Sequence, residues 1–189
     1  MLTVKPQNKS INDIVDFLNK GGIIICPTDT VYGFLADAGN KKAVEKIFKI
    51  KKRLRSKPLP VFISDIRTAK ELAEINKDQE KLLKKYWPGK YTLILKRKKG
   101  LKLYDGAKDT IALRIPKHNF LNNLLKKINK PLVQTSVNIS GQDTLLKISD
   151  IINQFNKSDI LILDAGNLKK IKPSKILDLT ENKIKVLRR

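Results

Sequence analysis

Cysteine and histidine are almost missing from this sequence, with one of each in 189 residues, and its 18 carboxylates stand against 40 lysines and arginines. Each shortage removes a class of chemistry. A single cysteine, Cys26, leaves no internal disulfide and no all-cysteine metal site. Its place at the end of an apolar run marks it as a small buried hydrophobe, at home in a reducing compartment. The lone His118 excludes His-pair zinc motifs and a histidine relay. No apolar run approaches the ~20 residues of a membrane span, and nothing from Met1 to Ser10 has the layout of a signal peptide. The expectation is a soluble, cytoplasmic protein without a membrane partner. Glycine-rich phosphate loops, paired carboxylates at glycosidase-like spacing and a Ser-His-acid signature are missing as well. So are repeats, low-complexity segments and Pro/Gly/Ser-rich linkers. With 41% apolar residues, the length fits one domain over 1–189.

What is present in excess is positive charge. The formal net charge of +22 favours anionic partners such as nucleotide phosphates or nucleic acid. Lysine far outnumbers arginine, and isoleucine and asparagine are abundant, as an A/T-rich coding bias would produce without any selection for binding. Charge alone therefore chooses no function.

Periodicity organises the chain as interleaved helices and strands. Ser10 and Asp13 read as a capping box for a helix carrying Ile11, Ile14, Val15 and Leu18, so that the chain opens helix, then strand. Ile23–Ile25 read as a buried strand, Pro27 as its stop, and Val31–Ala36 as the next strand. Asn40 caps a helix with an apolar face of Ala43, Val44, Ile47, Phe48 and Ile50. From Lys41 to Lys57 there are nine Lys or Arg against one acid, Glu45, and the densest part closes that helix. Leu59–Ser64 reads as a strand, Asp65 as a helix cap, and Asp78–Trp87 as a helix packing Trp87 on a sheet. Tyr91–Lys96 and Thr110–Ile115 read as strands flanking a solvated basic turn at Arg97–Lys99. A helix from His118, where the histidine starts the helix, runs to Ile128. A strand at Leu132–Thr135, a helix at Ser149–Phe155, a strand at Ile160–Asp164 and a hairpin turning at Thr180-Glu181-Asn182 complete the list. Short links cannot make parallel crossovers, so the fold class is α/β with a twisted mixed sheet flanked by helices.

Polar residues gather where strands are expected to end: Thr28–Thr30, Arg114 and Ser136–Asn138. In open α/β sheets ligands bind at such ends. With the basic helix terminus they make a basic concave mouth for polyanions, and Arg114, inside an apolar strand, needs an anion. A site of this composition gathers and aligns anions and needs no side-chain base.

Five motifs in order carry a resemblance: Pro27-Thr-Asp-Thr-Val-Tyr-Gly33; Lys51-x-Arg53 with Pro58-Leu59; Trp87-Pro-Gly-x-x-Thr-Leu93; Ile111-Ala-Leu-Arg-Ile-Pro116; and Ser136-x-Asn138 with Ser140-Gly141. They resemble the YrdC-like family of threonylcarbamoyl-AMP synthases over roughly residues 10 to 178. The resemblance implies condensation of L-threonine, bicarbonate or CO2 and ATP into threonylcarbamoyl-adenylate, with release of pyrophosphate. A partner transferase then modifies tRNA. ATP is a substrate accompanied by magnesium; no cofactor is tightly bound, and no protein side chain is a metal ligand. Lys51, Arg53, Ser136 and Asn138 are the implied catalytic signature. Thr30, Arg114 and Ser174 are implied to hold threonine. Lys51, Arg53, Lys57, Thr110, Ser136, Asn138, Thr144 and Arg188 are implied to hold ATP. Lys52, Leu54, Thr135, Val137 and Lys175 depart from the family's usual residues, and Phe62 stands where some members have a threonine-touching histidine. The alternative reading is an RNA-binding module that grips tRNA backbone without chemistry. Relatives among hydrogenase maturation factors sit in much longer chains.

Overall fold

The computed structural model describes residues 2–155, 160–181 and 183–188. Its strands are β1 (Leu2–Val4), β2 (Ile23–Pro27), β3 (Tyr32–Asp37), β4 (Val61–Phe62), β5 (Tyr91–Lys96), β6 (Thr110–Arg114), β7 (Leu132–Ser136), β8 (Ile160–Leu163), β9 (Lys175–Asp178) and β10 (Lys185–Arg188). Its helices are α1 (Ile11–Asn19), α2 (Lys41–Ile50), α3 (Ile66–Leu72), α4 (Lys77–Tyr86), α5 (Asn119–Ile128) and α6 (Ile148–Phe155). All the strands join one sheet, in the order β1-β8-β2-β3-β7-β4-β6-β5-β9-β10. The sheet is mixed, as the short links require: β2 and β3 pair antiparallel, while β2 with β8, β4 with β6 and β5 with β9 run parallel. Among the described residues no helix is long and apolar enough to cross a membrane.

Alternation along the strands sorts side chains onto two faces. Ile23, Ile25, Phe34, Val61, Leu93, Leu95, Ile111, Leu113 and Val133 pack with apolar residues of α2, α3, α4 and α6 in the larger core, where Trp87 also lies. On the other face Ile24, Cys26, Leu35, Phe62, Leu132 and Leu161 pack with α1 and α5. These two helices cover only part of that face, and the part they leave open holds the cavity described below.

The expected helices form on their apolar spacing, with Ile11, Ile14 and Leu18 buried in α1 and Ala43, Val44, Ile47 and Phe48 in α2. Asn40 and Asp65 cap as expected, accepting from the amides of Ala43 and Thr68. Four expectations need correction. The chain opens with a strand, because β1 pairs in parallel with β8, a partner far along the sequence. Ser10 forms no capping box; its hydroxyl donates to the carbonyl of Gln7 at 2.8 Å, inside the 3-10 turn Asn8–Ser10. The strand expected over Leu59–Ser64 shrinks to Val61–Phe62, between Pro60 and the Ser64–Asp65 start of α3. Arg97 is no solvated turn residue. Its guanidinium meets Asp105 at 2.6 Å and donates to the carbonyls of Ala107 and Leu103, with both charged side chains buried. Burial raises the Asp105 pKa against the pull of Arg97. The β9–β10 hairpin forms antiparallel, while Asn182 of its expected turn, like Arg189, lies outside the described residues.

Candidate functional site

Strand β7 shows how the open half of the sheet is made. On one face its residues run Leu132, Gln134, Ser136; Leu132 packs under α5, and the next two line a cavity of about 720 Å³. Neighbouring strands change character at the same place. Phe62 of β4 sits beneath the helices, while its partner in β6, Arg114, lines the cavity together with Ala112 and Thr110. Thr92 and Ile94 of β5, Ser174 and Ile176 extend the floor. Thr30, Arg53, Pro58, Asp143, Thr144, Lys170 and Arg188 are among the residues around it. The site is therefore a sheet face, not a row of strand ends. In a mixed sheet carboxyl ends alternate in direction and cannot build one crevice at one edge.

Arg114 is 2% exposed and already has an anion, Asp29, whose Oδ1 lies 2.7 Å from Nη2. Its Nε donates to the carbonyl of Gly89 at 3.0 Å. The other Asp29 oxygen accepts from the amide of Lys117. The buried arginine thus receives its counter-charge from the turn after β2, which the sequence reading did not foresee. Burial lowers the Arg114 pKa and Asp29 opposes this. Its Nη1 has no hydrogen-bond partner among the described residues. In the same turn the Thr28 hydroxyl accepts from the amides of Thr30 and Val31 and lies 3.0 Å from the Thr30 hydroxyl, so that Thr28 holds the turn and Thr30 faces the cavity.

At the opposite border Lys51, implied by the resemblance to hold ATP, is 2% exposed. Lys52 adopts φ 50°, a left-handed conformation that ends α2. The Lys51 ammonium donates to the carbonyl of Ser136, the carbonyl of Asn138 at 2.9 Å and the side-chain oxygen of Asn138 at 2.7 Å. That oxygen also accepts from the Ser136 hydroxyl, and the Asn138 amide donates to Gln142. Burial first, and Arg53 second, push the Lys51 pKa down to about 7, while three acceptor oxygens are what a charged ammonium satisfies completely. Arg53 donates to the carbonyls of Lys57 and Pro58, fixing the loop on which it sits.

The third border is the tail. Arg188 donates from Nε to the Ser174 carbonyl at 2.7 Å and from Nη2 to the Ser174 hydroxyl at 2.9 Å, and that hydroxyl lies 3.1 Å from Thr92 Oγ1. Burial lowers the Arg188 pKa, and nearby Arg114 lowers it further. Two guanidiniums within electrostatic reach across one cavity favour an anionic occupant.

Of the residues nominated from sequence, Thr30, Arg53, Thr110, Arg114, Ser136, Thr144, Ser174 and Arg188 share this cavity. Lys51 and Asn138 stand behind its wall, bonded to Ser136. Lys57 is exposed, and its carbonyl serves Arg53. Sequence reasoning missed Asp29, Thr92, Gln134, Asp143 and Lys170. Thr92 and Gln134 were detectable as polar residues at alternating positions within apolar strands.

A family model named Sua5/YciO/YrdC and described as telomere recombination matches residues 16–189. The chain belongs to this family. A Methanocaldococcus jannaschii relative, provisionally named a threonylcarbamoyl-AMP synthase, is 37% identical over 175 residues, 90% of this chain and 83% of its own length. A Pyrococcus abyssi threonylcarbamoyl-AMP synthase is 33% identical over 167 residues, 87% of this chain but only 49% of its own, so this chain spans about half of that relative. The P. abyssi Sua5 structure complexed with L-threonine superposes with a TM-score of 0.89 at 31% identity, over 99% of this chain and 56% of that one. The family's sheet is therefore the one described above.

Proposed function

We propose that this chain is an L-threonylcarbamoyladenylate synthase, using ATP, L-threonine and bicarbonate in the open half of the sheet. One observation carries the reading: a single cavity has Arg114, Thr30 and Thr92 toward one border and Arg53 and Ser136 toward another. The synthase names of relatives and the threonine complex of a solved one support it. Arg114 keeps Nη1 for the threonine carboxylate, with Thr30 and Ser174 at its side, as a planar guanidinium does best. Arg53, Thr110, Ser136, Thr144 and Arg188 take the nucleotide; Lys51 and Asn138 hold the Ser136 turn, and Lys57 is available to phosphates from outside.

The chemistry balances without a side-chain nucleophile. The threonine amine attacks the carbon of bicarbonate, the C–OH bond breaks, and hydroxide leaves with the amine's proton as water. A carbamate oxygen then attacks the α-phosphorus of ATP, the bond to the bridging oxygen breaks, and pyrophosphate departs. The protein's part is to align anions and offset charge developing on phosphate. Magnesium would enter with the nucleotide, and the carboxylate of Asp143 on the cavity is an oxygen ligand such an ion could take. The product would pass to a partner transferase acting on tRNA. A concave site of about 720 Å³ bordered by Arg114, Arg53 and Arg188 favours this reading over a module that only grips RNA backbone, whose affinity would fall steeply with salt. Incubated with ATP, bicarbonate and threonine, the purified protein should release pyrophosphate only when all three are present. Release indifferent to threonine overturns the reading.

A further inference from the structure

Gln134 is 9% exposed, and its side-chain amide has no hydrogen-bond partner among the described residues. Elsewhere on this face every buried polar side chain named so far is committed to a neighbour. Because it lines the cavity, this amide is free to bond whatever enters there. The side chain belongs to the cavity floor, between Leu132 under α5 and Ser136 beside the Lys51 network. Its placement is specific. Gly33 pairs with Ser136 in the β3–β7 ladder, and a Cβ at Gly33 would come within 3.0 Å of Gln134 Nε2. The amide head therefore lies over Gly33, next to the turn carrying Thr30 and Val31. Across the sheet from Gln134 the floor is Pro60, Ala112 and Ile94, which offer no polar side chain. Gln134 is the polar group between the Arg114 border and the Ser136 border.

We infer that Gln134 reads the one-carbon unit, bicarbonate and then the carbamate, by a two-point hydrogen-bond pair. This rests on the synthase reading above. Bicarbonate presents an O–H donor beside a carboxylate oxygen, and a carbamate presents an N–H beside one. A primary amide offers the complement, an acceptor oxygen and N–H donors held in one plane. The carbon unit must sit where the amino acid and the nucleotide meet, and there this amide stands unpaired. A Cβ at Gly33 would push the amide head by a few tenths of an ångström.

The test is the bicarbonate dependence of pyrophosphate release. Gln134→Met keeps the bulk and removes the hydrogen bonds; it should raise the bicarbonate KM about tenfold or more, the scale of one or two lost hydrogen bonds to a charged group. The threonine KM and the ATP Kd by calorimetry should stay within about twofold of wild type. Gln134→Glu should lose more, since its carboxylate repels the anion. Gly33→Ala, which moves the amide without altering it, should shift the same constant in the same direction, with thermal midpoints showing each variant folded. An unchanged bicarbonate KM in Gln134→Met overturns the assignment while leaving the synthase reading in place. Equal rises for all three substrates also overturn it, because Gln134 would then only shape the cavity. A wild-type protein that releases no pyrophosphate overturns both.

Discussion

One face of the sheet carries two halves, and β7 runs through both. Under α1 and α5, Ile24, Leu35, Phe62, Leu132 and Leu161 meet other apolar side chains. Two and four residues further along β7, Gln134 and Ser136 line a cavity, joined there by Arg114 of β6. The covered half stabilises the fold by removing apolar area from water, about 25 cal/mol per Å². The open half works against stability by burying an Arg–Asp pair, and it holds its shape by hydrogen bonds to backbone. Along β7, what separates structure from function is whether a helix lies overhead. The boundary runs through Phe62 and Arg114, which pair in the β4–β6 ladder with the guanidinium 5.6 Å from the ring centroid.

The largest expected contrast is between single changes on the two sides of that boundary. Arg114→Met leaves Asp29 buried without its partner and should lose about 3–5 kcal/mol of stability, together with all threonine-dependent pyrophosphate release. Leu121→Ala removes a fully buried side chain of α5 and should lose about 2–5 kcal/mol, yet keep normal substrate constants per folded molecule. Denaturant titration with assays well below the midpoint separates the two. If Leu121→Ala changes the threonine KM, the halves are not independent and the contrast breaks.

How much of this was legible in the sequence depended on how far away the deciding partner lay. β5 reads correctly from YTLILK, and the caps Asn40 and Asp65 read correctly from residues three positions on. The capping box of α4, Asn76 with Gln79, was equally local and went unread. What the local pattern could not yield was set by chain segments far apart. Lys51 reads as a cation for phosphates, and its burial follows only once the 136–138 turn, some 85 residues later, is folded around its ammonium. Arg97 is the exception, since Asp105 closes on it from only 8 residues away, through a turn that carries no period. β1 is too short to show a period and exists through β8. The polar residues of the site were visible, but their sharing of one face follows from strand order, which no spacing encodes.

A smaller effect is expected at the far edge of the open half. Arg188→Ala should weaken ATP binding by about 1.5–3 kcal/mol, the range for a hydrogen bond to a charged group, while the ligand-free midpoint moves little because β10 is the edge strand of the sheet. Calorimetry with each substrate sharpens the map. Arg188 is bonded to Ser174, which is assigned to threonine. Loss of threonine affinity with ATP affinity intact would move the tail to the amino-acid side.

The smallest expected effect lies where the halves touch, at His118. This residue caps α5 by accepting the Leu121 amide on Nδ1, a role that only the neutral ring can fill. Burial lowers its pKa below the ordinary value, and nearby Asp29, the partner of Arg114, opposes that shift. A base whose folded pKa is depressed binds fewer protons folded than unfolded between the two values, so stability rises with pH across that window. The cap's contribution is complete above about 6.5, the unfolded value, and is lost as pH falls through the folded one. Between about pH 7 and 5 the thermal midpoint of the wild type should therefore fall by the equivalent of about 1 kcal/mol, a typical cap. His118→Asn keeps a capping oxygen without a titrating ring and should flatten that slope, leaving the neutral-pH midpoint almost unmoved. Parallel slopes in the two proteins would place the acid sensitivity elsewhere, and a steeper slope in the variant would mean that the imidazolium is held favourably by Asp29. In that case the covered half would draw stability from the open one.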